Sequence, residues 1–347
     1  MPRAAQGLDE ALRLLRSHLG VSASLWSPYD LEPPSRLVDS DIAEHRFTLS
    51  WTASGTAGPV ARAIERLQDH VGAIGRIALV VTPFMGAAGA ARCAAAGVGW
   101  LDLSGNASIL GPGLRIHVHG MPNRFIRPGR PANPFAPKSA RVTRWLLMHT
   151  GTAWRQRALA EATGLSEGAV SKVVRAYEAE GLVVRDPDDG VRVPDPMLLL
   201  QAWHERYRFD RHHTRKGSIA ARSGVDLVRT VSQAMRSNGV NHAFTGLAAT
   251  WWWDGFASFR SVVLYVEHWP ESPLADMVFV DEPRGANLWV VVPDDAGVLH
   301  GATERDGVTV VHPVQAYLDL DAQAERAPEA AEHLRTTVLM PMWSEHA

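Results

Sequence analysis

The chain has 347 residues, enough for two or three domains with complete hydrophobic cores. Its formal net charge of −2 excludes a strong overall attraction to nucleic acid, and its single cysteine, Cys93, excludes an internal disulfide and a cysteine-based metal cage. Because the sequence has neither an apolar leader segment nor an apolar stretch of membrane-spanning length, we expect a cytoplasmic protein.

Residues 1–120 predict a small α/β domain, because apolar patterns of helical and strand period alternate along them. The predicted helices cover residues 8–19, 60–70 and 87–96, and the predicted strands cover residues 46–52, 77–81, 100–103, 107–110 and 114–118. This strand–helix–strand–helix order resembles the restriction-endonuclease-like core.

The resemblance implies a metal-dependent nuclease only if the strands carry the ligands. Active members place an acidic residue and a Glu-x-Lys pair on adjacent strands, where the carboxylates hold a divalent cation. The strand 48–52 has no carboxylate and no lysine, and no lysine precedes Lys138. We therefore predict a degenerate, non-catalytic nuclease fold that needs no metal or other cofactor. A DNA-processing nuclease is the alternative.

Two further patterns in this block invite a functional interpretation. Asp102 and Asn106 have side chains suited to catalysis, but Ser104-Gly105-Asn106 is also a typical turn in which Asp102 would bond to nearby backbone groups. His117 and His119 share one face of a strand, but no third metal ligand lies near them in the sequence. We favour the structural role for the first segment and predict no metal site at the second.

Positive charge is concentrated in the middle of the chain. Residues 121–220 contain 17 Lys and Arg against 10 Asp and Glu. Residues 121–138 hold five prolines and four basic residues, which is typical of a stiff polar linker. The basic hundred residues also contain the motif described next, as expected of a DNA-binding segment.

Residues 139–200 predict a winged helix-turn-helix domain that opens with a helix at 141–149. A short second helix at 157–163 ends at Gly164, because a tight turn favours a residue that tolerates positive φ. Ser166 then caps the third helix. Its buried side is marked by four residues at helical spacing, namely Val170, Val173, Val174 and Tyr177.

The third helix ends at Gly181 and is followed by a predicted β-hairpin. Strands at 182–185 and 191–193 flank Asp188-Asp189-Gly190, a common hairpin turn. The third helix exposes small residues first and cationic residues later, which suits close approach to base edges and then to phosphates. The predicted DNA-contacting residues are Ser166, Gly168, Ala169, Ser171, Lys172 and Arg175 on this helix, Arg185 and Arg192 on the wing, and Arg155 and Arg157 before the turn.

Residues 201–216 are predicted to form an aromatic and basic helix or linker, with His212 and His213 on a solvated basic face. Residues 217–347 predict a third, α/β block. Its predicted helices cover residues 224–238, 247–252, 313–320 and 328–339, and its predicted strands cover residues 261–267, 288–292 and 308–312.

The third block faintly resembles a nucleotidyltransferase, but the metal ligands of that chemistry are missing. Two-metal transfer needs two carboxylates at i, i+2 on a strand, whereas the strand at 261–267 offers only Glu267. Asp276 and Asp281 are five residues apart in a predicted loop.

Trp251-Trp252-Trp253 could stack on a base or ligand, or pack a helix onto the sheet; we favour packing.

Several segments together resemble the AbiEi-like antitoxins of type IV toxin–antitoxin systems and related bacterial regulators. The resemblance is carried by residues 100–107, 244–249, 313–320 and 329–334, in that order around the winged helix. It implies a DNA-binding protein that represses its own operon through inverted repeats and, further, a nucleotidyltransferase-like toxin as partner. In that family the winged helix is N-terminal, whereas here it is central, which favours the regulatory role.

The sequence therefore predicts an α/β multidomain protein with a degenerate nuclease-like block, a winged helix and a nucleotidyltransferase-like block. We expect a non-enzymatic transcriptional regulator, acting as a homodimer on double-stranded DNA with an inverted repeat. The alternatives are the nuclease and a ligand-sensing regulator that uses the tryptophan-rich C-terminal block.

Overall fold

The computed structural model describes residues 2–20, 37–42, 44–70, 75–125, 133–186, 190–256, 258–323 and 326–345. The fold is mixed α/β with more than one sheet. The chain divides into two units, the first comprising Met1–Ala132 with Ala179–Leu182 and the second comprising Asn133–Glu178 with Val183–Ala347. Most of the predicted winged-helix segment, residues 139–178 and 183–200, thus belongs to the same unit as the C-terminal block, although separate domains were expected.

The first unit is a six-stranded sheet whose strands follow chain order. Its elements are α1 (Ala4–His18), β1 (Leu37–Ile42), β2 (His45–Trp51), α2 (Ala57–His70), β3 (Ile77–Thr82), α3 (Ala87–Ala95), β4 (Gly99–Asp102), β5 (Ala107–Gly111) and β6 (Leu114–Val118). The pairs β2–β3 and β3–β4 are parallel, and the remaining neighbours are antiparallel.

Alternation along β3 explains why this sheet is covered on both faces. Leu79 and Val81 belong to the core with α1, whereas Val80 belongs to the core with α2 and Cys93 of α3. The predicted elements of this block are confirmed with shifts of a few residues at their ends. Strand β1 was not predicted, because Asp39 and Asp41 interrupt its apolar pattern on the exposed side.

The second unit contains most of the segment predicted as a winged helix-turn-helix, which forms three helices and a two-stranded hairpin. Its elements are α4 (Ala140–Met148), α5 (Gln156–Thr163), α6 (Glu167–Glu180), β7 (Val184–Asp186) and β8 (Gly190–Arg192). The two short strands pair antiparallel, with Arg185 opposite Val191. The predicted turn residues Asp188 and Asp189 lie outside the described residues.

The rest of the second unit contains a six-stranded mixed sheet in the order β13-β14-β10-β11-β12-β9. Its elements are α7 (Pro196–His204), β9 (His213–Gly217), α8 (Gly224–Ser237), β10 (His242–Thr245), α9 (Gly246–Asp254), β11 (Val262–Val266), α10 (Glu271–Asp276), β12 (Leu288–Val292), β13 (Thr303–Arg305), β14 (Val308–Val310), α11 (Pro313–Asp319), α12 (Ala327–Leu334) and α13 (Met340–Ser344).

The segment 201–216 differs from its prediction as a helix or linker. Residues 196–204 form α7, and residues 213–217 form β9, which pairs antiparallel with β12 along its whole length. The C-terminal sheet thus begins before residue 217. Strand β9 could not be recognised in the sequence, because its exposed and half-buried side chains are charged or polar and give no alternating apolar pattern.

Within the described ranges, none of the helices combines the length and the apolar character that crossing a lipid bilayer requires.

Candidate nucleic-acid interface

The turn between α5 and α6 has the geometry that the sequence predicts. Gly164 ends α5 in the left-handed conformation, with φ at 66°. The hydroxyl oxygen of Ser166 accepts a hydrogen bond from the backbone N–H of Ala169 at 3.3 Å, which satisfies one free donor of the first turn of α6. These two local features set the direction in which α6 leaves α5.

Helix α6 divides into a buried and an exposed face, as predicted. Val170, Val173, Val174 and Tyr177 are all buried. Of the six predicted DNA-contacting residues on α6 and its cap, Ser171 is half-buried and the other five are exposed, namely Ser166, Gly168, Ala169, Lys172 and Arg175. Small side chains at its N-terminal end leave room for a close approach, and Lys172 and Arg175 follow about one and two turns later.

Tyr177 fixes α6 against α4 and the segment that precedes it. Its hydroxyl donates to the backbone oxygen of Pro134 at 3.0 Å and lies 2.5 Å from the hydroxyl of Thr143 on α4. Because the tyrosine has a single hydroxyl hydrogen, Thr143 is the donor of the second bond. The ring of Tyr177 also packs against Phe135, with 5.1 Å between ring centroids. Residues 133–135, predicted as part of a linker, therefore support α6.

The wing is tied to the start of α5. The backbone N–H of Trp154 donates to the oxygen of Val191 at 2.8 Å, and the N–H of Val191 donates back at 2.8 Å. Gly190 adopts φ of 107°, and an added Cβ would collide with the backbone of Trp154. This close approach requires glycine at position 190.

The predicted DNA-contacting cations differ in whether they form an ion pair with an acidic side chain of the described chain. Lys172, Arg175, Arg155 and Arg192 are exposed, and no ion pair is formed by any of them within the described chain. Arg185 instead forms a two-point ion pair with Glu178 of α6, with both nitrogen–oxygen distances at 3.0 Å.

Arg157 is also paired, with Glu161 one helical turn along α5, at 3.2 Å. An acidic neighbour thus reaches the guanidinium of both Arg185 and Arg157.

Helix α4 carries a buried cation toward the C-terminal sheet. Arg144 is 3% exposed, and its Nη2 donates to Oε1 of Gln315 at 2.5 Å. Nε2 of Gln315 donates in turn to Asp319 at 2.9 Å. Burial lowers the pKa of Arg144 and raises the pKa of Asp319.

Asp319 accepts hydrogen bonds on both carboxylate oxygens from four side chains. Besides Gln315, Tyr207 donates at 2.5 Å, Thr245 at 2.6 Å and Tyr265 at 2.9 Å. This complete set of donors compensates part of the cost of burying the carboxylate. The sequence did not reveal this network, because its members come from five separate elements or loops.

The C-terminal segments that carry the family resemblance meet at this network. Thr245 and Gly246 stand at the junction of β10 and α9, and Gln315 and Asp319 belong to α11. Gly246 has φ of 60°, and an added Cβ would collide with the side chain of Gln323. These motif residues therefore have a structural role in the second unit.

His212 differs from its prediction as part of a solvated basic face. It is half-buried, and its Nδ1 accepts from the backbone N–H of Asp294 at 3.1 Å. Its Nε2 therefore carries the hydrogen and lies 3.1 Å from the hydroxyl oxygen of Tyr207. Burial lowers the pKa of His212. Its neighbour His213 is exposed, as expected.

In the first unit, Asp102 is bound by local groups, as the structural interpretation predicts. Its Oδ1 accepts from the backbone N–H groups of Ser104 at 3.0 Å and Asn106 at 2.9 Å, and its Oδ2 accepts from Met85 and from the amide of Asn106. The Asn106 amide also exchanges two hydrogen bonds with the backbone of Met121. The turn thereby anchors the segment that follows β6.

The other candidate sites are also explained by packing. The rings of His117 and His119 lie 4.2 Å apart, but no group of three or more metal-ligating residues occurs in the described part of the chain. Trp252 is buried, and Trp251 and Trp253 pack against the same core. Trp253 Nε1 donates to the backbone of Val311 at 3.0 Å.

No protein-family model, no curated protein and no solved structure matches this chain. The functional argument therefore rests on the geometry of the sites above.

Proposed function

We propose that this protein binds double-stranded DNA as a sequence-specific transcriptional regulator, with α6 in the major groove. The observation that supports the proposal most strongly is the exposed face of α6. It presents Gly168 and Ala169 without bulky neighbours and then Lys172 and Arg175 without an acidic partner among the described residues. This order matches close contact with base edges followed by contact with phosphates.

The way α6 is held supports the same function. A recognition helix must keep its orientation when its exposed face is desolvated in the DNA groove. Helix α6 is held in place by the hydroxyl of Tyr177 and by a row of buried apolar side chains. Arg192 on the wing and Arg155 before α5 are exposed and suited to contact the DNA backbone.

We further propose that the two α/β blocks serve assembly rather than catalysis. The first block is proposed as a degenerate nuclease-like fold and the second as a nucleotidyltransferase-like fold without its metal ligands. Outside residues 121–220 the chain carries 18 Lys and Arg against 27 Asp and Glu, and this acidic excess favours surfaces directed away from DNA. A nucleotidyltransferase-like toxin remains a proposed partner, to be tested by co-purification with the product of the adjacent gene.

The proposal is tested by measuring binding to the DNA upstream of the gene. Fluorescence anisotropy with this DNA and with a shuffled duplex gives the affinity and the specificity ratio. The double variant Lys172→Ala/Arg175→Ala should abolish the preference and most of the affinity. Arg229→Ala/Arg284→Ala, which removes two exposed arginines of the C-terminal block, is the matched control. Unchanged affinity in the first variant would exclude α6 as the DNA-reading element.

A further inference from the structure

The second unit contains a cleft that DNA binding does not explain. Its volume is about 550 Å³, and it opens beside β9 and the loop before that strand. Phe209, Trp289 and Leu318 form its apolar lining. Apolar walls with a few placed polar groups are typical of small-molecule sites.

One wall of the cleft holds a cation on an aromatic ring. Lys216 and Trp289 are directly opposite each other on the paired strands β9 and β12, so their side chains share one face of the sheet. The ammonium of Lys216 lies 3.4 Å from the centroid of the Trp289 ring. No carboxylate pairs with Lys216 among the described residues. This ammonium is therefore available to an anionic group in the cleft.

The cleft also contains carboxylates, and they determine the kind of ligand. Asp210 and Asp321 line it together with Lys216 and Arg208. Asp321 lies 2.8 Å from Nε2 of His204. Among the Lys, Arg, Asp and Glu side chains of the lining, two cations balance two carboxylates. A simple anion would be attracted by one pair and repelled by the other, whereas a zwitterion is complementary to both.

We propose that this cleft binds a free α-amino acid with an apolar or aromatic side chain. Its carboxylate pairs with the ammonium of Lys216, and its own ammonium is attracted by Asp210 and Asp321. Its side chain packs against Phe209 and Trp289. The volume accommodates such a ligand, and Lys216, Asp210 and Asp321 each face a ligand group of opposite charge.

The cleft is connected to the winged helix through hydrogen bonds. Tyr207 lines the cleft and donates to Asp319, which is joined through Gln315 to Arg144 of α4. The residue before Arg144, Thr143, bonds to Tyr177 of the recognition helix. If the chain binds DNA as proposed above, we expect occupancy of the cleft to alter DNA affinity through these contacts.

Isothermal titration calorimetry of the full chain tests the ligand class directly. The probes are L-phenylalanine, N-acetyl-L-phenylalanine, which lacks the ammonium, and L-phenylalaninamide, which lacks the carboxylate. L-phenylalanine should bind, and each derivative should bind about tenfold more weakly, because one charged contact is lost. The absence of any heat with L-phenylalanine, L-leucine and L-tryptophan would overturn the proposal. Equal binding of the N-acetyl derivative would show that the ligand's ammonium is not recognised, and would overturn the proposal that the cleft selects a zwitterion.

Two variants assign the charged contacts. Lys216→Met keeps an unbranched stem on Trp289 and should weaken L-phenylalanine about tenfold while leaving the amide derivative unaffected. Asp321→Asn, at a largely exposed side chain, should weaken L-phenylalanine but not the N-acetyl derivative. Arg229→Met on α8 is the control and should change neither. Equal loss for all three compounds in both variants would contradict the assigned contacts.

The proposed effect of cleft occupancy on DNA binding is tested by repeating the DNA anisotropy measurement with and without saturating L-phenylalanine. A changed affinity for the upstream DNA supports the coupling. An unchanged affinity, together with calorimetric binding, overturns the regulation but leaves the amino-acid site in place. If no DNA complex forms at all, the proposed function and its regulation are both wrong. Calorimetry still tests, independently, whether the cleft binds an amino acid.

Discussion

Arg141 of α4 and Asp295 of the C-terminal block form a two-point ion pair, with Nε and Nη2 of the arginine 2.7 and 2.9 Å from the two carboxylate oxygens. Asp295 is 8% exposed and also accepts from the backbone N–H of Gly297 at 2.8 Å. The hydrogen bond to Asp295 raises the pKa of Arg141. Near the C-terminal end of α4, the backbone oxygen of Leu147 accepts a hydrogen bond from Nε1 of Trp343 on α13. Helix α4 is thus joined to the C-terminal block at both of its ends.

We therefore expect Asp295→Ala to destabilise the second unit by about 3 kcal/mol, because the variant leaves a partly buried guanidinium without its partner. Urea denaturation followed by circular dichroism measures this loss as a lowered midpoint. Glu332→Ala removes the partner of Arg335 in a more exposed pair and should cost less than about 1 kcal/mol. Equal effects of the two variants would show that the Arg141 pair contributes no more than a surface contact.

The two helices, their turn and the hairpin of residues 156–192 were predictable, because each of these features is encoded by neighbouring residues. Gly164 and Ser166 specify the turn, and the spacing of Val170 to Tyr177 specifies the buried face of α6, so no distant contact is needed. The Asp319 network could not be predicted, since Arg144, Tyr207 and Asp319 are far apart in the sequence and only the folded chain brings them together. The ion pairs of Arg185 and Arg157 were missed for a different reason: the acidic neighbours were visible in the sequence but their geometry was not.

The salt dependence of DNA binding should identify Lys172 as a phosphate contact. Lys172→Ala should weaken binding to specific and shuffled DNA by similar factors and reduce the slope of log K against log salt by about one phosphate contact. Arg175→Ala should cost about 1–3 kcal/mol and change the base preference if its guanidinium reaches a base edge. Anisotropy titrations over a range of salt concentrations separate the two effects. A steeper or unchanged slope in Lys172→Ala would contradict the contact.

Asp102 should be important for stability and unimportant for DNA binding. Asp102→Ala removes the acceptor of four hydrogen bonds and leaves buried N–H groups unpaired, so the first unit should lose about 3 kcal/mol or more. Asp69→Ala, at an exposed position of α2, provides the control. DNA affinity measured below the unfolding transition should equal that of the unmodified chain. A folded Asp102→Ala protein with lost DNA binding would assign the segment a functional role instead.

Stability should decrease in mild acid, with His312 as one contributor. Burial and the nearby Arg144 lower the pKa of His312 to about 4, and its Nδ1 accepts from the backbone N–H of Val314. Because the folded state disfavours the charged ring, this contribution is complete above the unfolded pKa of about 6.5 and is lost as the pH falls from there toward 4.

The variant His312→Asn isolates this contribution, because asparagine retains an acceptor for the Val314 N–H but does not titrate. Its free energy of unfolding should vary less between pH 6.5 and 4 than that of the unmodified chain, by up to about 3 kcal/mol. The comparison is made by urea denaturation at several pH values. His18→Asn, at an exposed position of α1, should leave the pH dependence intact. Parallel curves for His312→Asn and the unmodified chain would exclude this histidine as a source of the acid sensitivity.

The final prediction is that the DNA-bound form is a dimer on an inverted repeat. A single recognition helix contacts only part of one helical turn, which is too short for a unique genomic site, and specific affinity at physiological salt usually needs two half-sites one turn or a multiple apart. We expect the dimer contact to lie outside residues 139–200, because the exposed face of α6 and Arg192 must remain accessible to DNA.

Footprinting of the upstream region should show two symmetric protected half-sites, and light scattering of the complex should give two chains per duplex. Moving one half-site by half a helical turn should abolish tight binding, whereas a full-turn insertion should preserve most of it if the contact between the chains spans the added length. A single short, asymmetric protected site with one chain bound would disprove the dimer and leave the assignment of α6 as the reading helix intact.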